Sequence, residues 1–288
     1  MRASGIERVC VPPDRAEAWR KAGVAAAPLA ETELALRETL AAPGIKARAD
    51  RASATRSPWV FANGWRVRRD PGGRYLYDLS AGKAALAAAE AYAYGADAVL
   101  EIDPMDLASL GQMMAFLSAL PARDLPDTAD FAVVDDGSAT LGEVMNLLVR
   151  RNLLFRVVKG PSAEFRVNVR LGTSEYPQEA AADPSALALK IRRALTDEQR
   201  TLRLFGSEVV IGRLTGDAGR VRLHLLNYGG REVEGLRVRL RGTYPEGEAW
   251  VAGMGRVALQ DRAVGEGATE FTVPRLGPYG VVDLPAAR

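Results

Sequence analysis

The sequence predicts an α/β fold class: a parallel-sheet layered domain over residues 1–205, followed by an antiparallel β-sandwich domain over 206–288. Three observations predict it. Up to about residue 205, short apolar runs alternate with longer segments of helical period, as in a layered α/β domain. Over 98–158 these elements read strand, helix, strand, helix, strand. Such crossovers make parallel sheet, with ligands favoured at the carboxyl ends of the strands. Beyond 206 the pattern alternates residue by residue, as in Val221-Arg222-Leu223-His224-Leu225 and Leu236-Arg237-Val238-Arg239-Leu240-Arg241.

Taken in order, residues 6–11 read as a short buried strand. Pro12-Pro13-Asp14 introduces a helix over 15–22, ended by Gly23. A second helix is expected over 31–41, before Pro43-Gly44. Residues 45–58 lack a period and read as a loop. Trp59 to Val67 reads as a strand broken at Asn63-Gly64, and Asp70-Pro71-Gly72-Gly73 as a turn. Tyr75 and Tyr77 share one side of the strand that follows. The clearest helix runs from Gly82 to Tyr94 and is rich in alanine, with Gly95 placed for a left-handed cap. A strand over 98–102, a helix over 106–120, a strand over 131–134, a helix over 140–151 and a strand over 153–158 follow. Asp183-Pro184 opens a last helix, which Thr196 and Gln199 restart at capping-box spacing and Gly206 ends. Sandwich strands are expected near 207–214, 219–227, 235–242, 248–252, 256–260, 269–273 and 279–284.

Composition limits the function classes. With 48% hydrophobic and 26% charged residues, the chain can bury a large core. A net charge of +2 gives no global pull toward nucleic acid or an anionic membrane, so neither is expected as a partner. The lone Cys10 excludes an internal disulfide and a thiolate cluster, and the lone His224 excludes a His-rich zinc site. No metal and no cofactor are expected. No apolar run reaches the ~18 residues of a membrane span. The opening residues lead at once into a strand, without a signal-peptide pattern, and the localisation stays open between secreted and cytoplasmic.

Four groups of residues are candidates for chemistry. Glu101 and Asp103 end the strand 98–103 on one side, within reach of one ligand, and a carboxylate pair can divide acid and base roles in glycoside hydrolysis. The plainer reading is that Asp103 or Asp106 caps a helix around Pro104. The segment Ser53 to Asp78 holds Arg56, Trp59, Asn63, Trp65, Arg66, Tyr75 and Tyr77, a set suited to sugars by aromatic faces and polar groups. Against this stands a core role for Trp59 and Trp65. Glu90, in an otherwise apolar helix, reads as solvent-facing or salt-bridged. Asp135 and Asp136 end a buried strand and open a helix, where carboxylates can hold a ribose, a sugar hydroxyl or a divalent metal, or merely cap the helix. In the β-domain, Arg220, Arg222 and His224 share a face, as do Arg237, Arg239 and Arg241, and pairing of the two strands would make a basic patch.

Two resemblances follow from these segments. Val133 to Ser138 matches the Val-Val-Asp-Asp-Gly-Ser segment of family 2 glycosyltransferases, but the second acidic motif of that family, Asp-x-Asp, is missing downstream. The larger resemblance runs through Trp59–Arg66, the helix Lys83–Tyr94 with Gly95-Ala96-Asp97, the strand 98–103, the segment Phe131–Val158, and residues 207–288 with Leu225-Leu226-Asn227-Tyr228. In this order they resemble the C-terminal part of multidomain glycoside-hydrolase-like proteins. There a TIM-type barrel is followed by a flavodoxin-like, glutamine-amidotransferase-like segment and a terminal β-sandwich. The resemblance implies a carbohydrate-active, hydrolase-like protein or the C-terminal part of one. Its partners would be carbohydrate and either an upstream barrel domain or further copies of the chain. About 125 residues precede the second segment, too few for an eight-stranded barrel, which needs ~200 or more, so the family's catalytic carboxylates are not carried onto residues here. Two further functions fit the residues: a non-catalytic glycan- or partner-binding module, and nucleotide-sugar binding through Asp135 and Asp136.

Overall fold

The computed structural model describes residue 6 and residues 8–46, 59–122 and 124–286. Arg56 and most of the expected loop over 45–58 lie outside the described residues. Strands β1 (Arg8–Val11) and β2 (Ala25–Pro28) pair in parallel across helix α1 (Ala16–Lys21). Helix α2 (Glu31–Ala35) leads to β3 (Glu38–Ala41), and β4 (Gly44–Ile45) pairs antiparallel with β5 (Val60–Phe61). Helix α3 (Gly64–Arg69) precedes β6 (Arg74–Asp78), and α4 (Ala84–Tyr94) precedes β7 (Asp97–Glu101). β3, β6 and β7 form a parallel sheet in that order.

Helix α5 (Leu107–Ala119) leads to β8 (Phe131–Val134), α6 (Ala139–Arg150) to β9 (Phe155–Val158), and β10 (Asn168–Val169) follows, then α7 (Pro184–Leu195). β9 and β10 flank β8, so this second parallel sheet has the strand order 2-1-3 in its own chain order. Nine strands then make two antiparallel sheets among the described residues: β11 (Leu202–Phe205), β12 (Val210–Gly216), β13 (Arg220–Asn227), β14 (Val233–Arg241), β15 (Glu248–Val251), β16 (Gly255–Val257), β17 (Gln260–Gly265), β18 (Ala268–Leu276) and β19 (Tyr279–Pro285). Their orders are β11-β14-β18-β17 and β12-β13-β19-β15-β16. The chain is therefore a parallel-sheet α/β layer followed by an antiparallel β-sandwich. No described helix is long and apolar enough to cross a membrane.

The two cores show why the segments fold as they do. Between the antiparallel sheets, Leu202, Leu223, Leu225, Val238, Leu240, Phe271 and Val282 interdigitate with almost no exposure, as alternation demands. The other core begins at Leu40, Tyr75 and Tyr77, runs through α4 and α6, and ends on the outer face of the sandwich at Ile211, Leu226, Tyr228, Tyr279 and Val281. Helix α4 is apolar almost all round because it lies between the β3–β6–β7 sheet and the sandwich, and Gly95 at φ 66° ends it as expected.

Three segments differ from expectation. Residues 38–41 leave the expected helix to pair as β3 beside β6, so that Leu40 packs with Tyr75 and Tyr77. Residues 64–67, expected as the end of a strand over 59–67, fall in helix α3. The buried Trp65 and Val67 are two apart, and a six-residue stretch is too short for its period to separate strand from helix. Helix α7 stops at Thr196, whose φ is 59°, and 202–205 becomes β11 on the sheet of β14, where a continued helix was expected. The expected basic patch is corrected as well. β13 and β14 belong to different sheets, so the turn between them crosses the sandwich and does not close a hairpin. Arg222 is buried on Asp283 and His224 is buried, while Arg237 and Arg239 pair with Glu270.

Candidate functional site

The carboxyl ends of β6 and β7 lie side by side, with Asp78 and Glu101 in register. Partners in parallel register point to the same side of a sheet, so the two exposed carboxylates are neighbours. Asp103 follows two residues later. Its Oδ1 accepts the N–H of Met105 at 2.8 Å and caps the short helical turn at Pro104. Glu101 is thus the solvent-facing member of the expected acid/base pair, and Asp103 is engaged in local backbone work. Asp78, which sequence reasoning did not single out, is the nearer neighbour of Glu101. Only the register revealed it.

Beside this edge, Asp106 is buried and its carboxylate accepts the N–H of Gly82 at 2.8 and 3.0 Å, with Lys83 and Ala84 N–H groups farther off. It shapes the loop from β6 into α4. That loop forms one wall of a cleft of about 710 Å³ between the layers, with Lys83 and Ser109 facing Asn227, Glu232, Arg275 and Pro278 of the sandwich. The cleft lies at the carboxyl end of β6, where α/β sheets bind ligands, and at an interface between layers. In the sequence, Lys83 carried only a weak signal, a single cation at the head of an apolar helix.

The expected sugar platform does not assemble. Tyr75, Tyr77 and Asn63 have no exposure, and Trp65 has 7%. Tyr75 donates to Asp70 O at 2.6 Å, and burial pushes its hydroxyl up to about 12. Trp65 packs on α6, so closely that a Cβ on Gly142 would stand 2.8 Å from its ring. Arg66 pairs with Glu38 and lies over the Trp65 ring. Trp59 is half-buried beneath Arg150, whose guanidinium is 4.2 Å from the ring centre. The reason is the helix at 64–69 and the covered face of β6, on which Tyr75 and Tyr77 lie.

What the structure assembles instead is a polar knot around Glu90, which is fully buried and does not face solvent as expected. Its Oε1 accepts the Asn63 N–H at 2.8 Å and the Tyr228 hydroxyl at 2.6 Å. Its Oε2 accepts Asn63 Nδ2 at 3.0 Å and the Tyr77 hydroxyl at 2.9 Å. Burial raises the pKa of Glu90, while Tyr228, Asn63 and Tyr77 oppose that rise by hydrogen bonding. Tyr77 and Tyr228 are pushed well above the ordinary tyrosine value, by burial first and by Glu90 next. With every lone pair directed at a protein donor, the knot fastens α3, β6, α4 and the sandwich together.

Asp135 is committed in a similar way. Arg69 grips it through Nε at 3.1 Å and Nη2 at 2.7 Å, and Gly137 N–H adds a bond at 3.0 Å. Burial pushes its pKa up, but Arg69 and Gly137 outweigh this and hold it below the usual carboxylate value. Asp136 accepts Ser138 N–H at 2.8 Å within its own loop, and Ser138 caps α6 through Leu141 N–H. The pair therefore reads as strand-end and cap structure. Among the described residues, no group of three or more His, Cys, Asp or Glu is placed to hold a metal ion.

No family model matches the chain, and no curated protein matches it. Solved structures do. The α-L-fucosidase isoenzyme 2 of Paenibacillus thiaminolyticus superposes with a TM-score of 0.58 at 12% identity, over 78% of this chain and 63% of that one. A rhamnosidase from Novosphingobium sp. PP1Y gives 0.49 at 9% identity, over 88% of this chain and 35% of that one. A GH42 β-galactosidase from G. stearothermophilus gives 0.42 at 7% identity, over 81% and 52%. The chain thus spans less than two thirds of the fucosidase and about a third of the rhamnosidase. At 12% identity the likeness to the fucosidase is one of fold alone.

Proposed function

We propose that this chain is a carbohydrate-active, glycoside-hydrolase-like protein or the C-terminal part of one. The observation that carries the reading is the fold shared with the fucosidase over 78% of the chain. Fold alone does not assign chemistry, so the site must be argued separately. Glu101 and the Lys83–Glu232 cleft both lie at carboxyl ends of parallel strands, the usual ligand face of such sheets. The strand order 2-1-3 around β8 supports the flavodoxin-like reading of the middle segment. Glu101 is the residue we assign as general acid or base, with Asp103 as its weaker companion.

A second reading is favoured by a specific observation. Asp103 is tied up as a cap, and Trp65, Tyr75 and Tyr77 are in the core. The chain would then bind glycan or a partner domain without catalysis, its α/β and sandwich layers offering the cleft. One experiment separates the two. The chain is assayed on aryl α-L-fucosides, rhamnosides and galactosides, and in parallel on a glycan array. Hydrolysis that falls by about 100-fold or more in Glu101→Gln supports the catalytic reading. Array binding without turnover, lost in Lys83→Ala, supports the binding module. The absence of both turnover and binding defeats the carbohydrate assignment.

A further inference from the structure

The arginine-rich cavity between α6, α7 and β11 lies away from the carboxyl-end cleft, and nothing in the reading above accounts for it. It has a volume of about 580 Å³, the size of a small-ligand pocket. Arg150 and Arg151 reach it from the end of α6, Arg192 from one face of α7, and Arg200 and Arg203 from the start of β11. One carboxylate, the exposed Glu208, shares the lining.

Two structural causes account for part of this charge and leave the rest. The C-terminus of a helix carries about half a negative charge, which Arg150 and Arg151 more than offset. Asp197 takes a bidentate grip from Arg192, at 3.1 and 3.0 Å, and a bond from Arg200 Nη1 at 3.3 Å. Asp197 also pairs with Arg203 at 3.5 Å, and the exposed Glu198 and Glu208 lie near, yet these carboxylates are fewer than the arginines of the cavity, which stays cationic. Arg200 makes the point sharply: it is 6% exposed, and its buried Nε has no hydrogen-bond partner. A buried guanidinium N–H is costly to leave unmade, and an acceptor from outside the chain would reach it only with a shift of the side chain. Next to it, Phe205 is 41% exposed, with the Arg203 guanidinium 5.0 Å from its ring centre, and Leu189 is 44% exposed. The cavity therefore joins fork-shaped cationic donors to an apolar shelf.

We propose that this cavity binds a small organic oxyanion, a carboxylate, sulfate or phosphate on a compact ring, held by Arg200, Arg203 and Arg151 with its ring against Phe205. Guanidinium groups match the planar, two-pronged acceptors of such anions better than lysine does. The site is independent of the carbohydrate reading, since its chemistry recognises the anion first.

Titration calorimetry on the full chain tests it with four probes: glucuronic acid, glucose 6-phosphate, glucose and inorganic phosphate. At least one of the two ring-bearing anions should bind more tightly than inorganic phosphate, and glucose should not bind. The stronger of the two identifies the anion class. Raising the salt to about 0.5 M should weaken the binding. Arg151→Gln with Arg203→Gln, both outside the buried core, should weaken it by about tenfold or more with an unchanged melting temperature. Phe205→Ala should remove the preference over inorganic phosphate. Absence of binding by both ring-bearing anions, or binding indifferent to the arginine substitutions, overturns the proposal. Inorganic phosphate binding as tightly as the stronger of the two ring-bearing anions overturns the ring-bearing ligand.

Discussion

His224 is 5% exposed on β13, with its Nδ1 2.7 Å from the Tyr279 hydroxyl and its ring stacked on Tyr279. Burial, then Arg213 and Arg222, pushes its pKa well below the ordinary 6.5. Below pH 6.5 the unfolded chain therefore binds a proton that the fold refuses. The stability that neutral His224 contributes is present above that value and is lost as pH falls. Between about pH 7 and about pH 5 the wild type should lose melting temperature more steeply than His224→Gln, and equal slopes would remove His224 as the cause. Asp135 works in the ordinary carboxylate sense. Its folded pKa is held below 3.8, so the stability it supplies is complete above pH 3.8 and is lost as pH falls further. Asp135→Asn should cost about 1–3 kcal/mol in urea unfolding at neutral pH, a gap that narrows in strong acid. The same variant should leave the chain as indifferent to uridine diphosphate sugars with Mg²⁺ as the wild type, because Arg69 already occupies the carboxylate. None of this was legible in the sequence. The Asp-Asp-Gly-Ser string shows its own caps, but Arg69 lies 66 positions away and only the fold brings it in.

At the scale of elements, α4 shows what was legible and what was not. Its alanines and its Gly95 cap announce a buried helix with a clean end. The role of Glu90 was not announced, because the donors that surround it come from α3, β6 and the loop after β13. A buried carboxylate is tolerable only with its lone pairs filled, and here each oxygen has two donors. Removing one should cost more than a surface bond. Tyr228→Phe should lower stability by roughly 1.5–3 kcal/mol, the range for a hydrogen bond to a charged group. Glu90→Ala should cost more, since it strands four donors at once. In a double-mutant cycle the Glu90–Tyr228 coupling should exceed about 0.5 kcal/mol, and additive effects would show that the knot is not a unit. Elsewhere the sequence misled wherever an element was short. Trp65 and Val67 fit a strand or a helical turn equally well, and β3 and β11 form because a neighbouring strand offers pairing that local propensity does not weigh.

For the whole molecule, the change of period near residue 206 made the two architectures legible, because a sheet covered on one face must alternate and an α/β layer need not. What the period could not show is that the five-stranded sheet is covered on both faces, so that the division we propose between the α/β layer and the sandwich separates sheets without separating cores. With β11 on the sandwich sheet, that division falls before Leu202. Ile211, Leu226, Tyr228, Tyr279 and Val281 pack into the α/β core from the far side. Polar ties accompany them. Asn152 holds β12 through Val210 O at 3.1 Å and Gly212 N–H at 2.7 Å, and Asp130 takes the Thr201 N–H at 3.1 Å. Arg213 binds Asp127 at 2.8 Å, and Thr128 N–H donates to Leu214 O at 3.0 Å. Shared apolar area and buried ties of this kind couple the unfolding of the parts. Scanning calorimetry should therefore show one transition for the chain, with calorimetric and van't Hoff enthalpies in agreement, at about 0.7 kcal/mol per residue near 60 °C. A fragment of residues 1–201 loses the sandwich side of its core and should bind a hydrophobic dye and melt without cooperativity. Two resolved transitions in the intact chain, or a sharp melt in the fragment, would mean that the layers fold apart and that the Glu90 knot and the Asn152 clamp are consequences of docking, not conditions of folding.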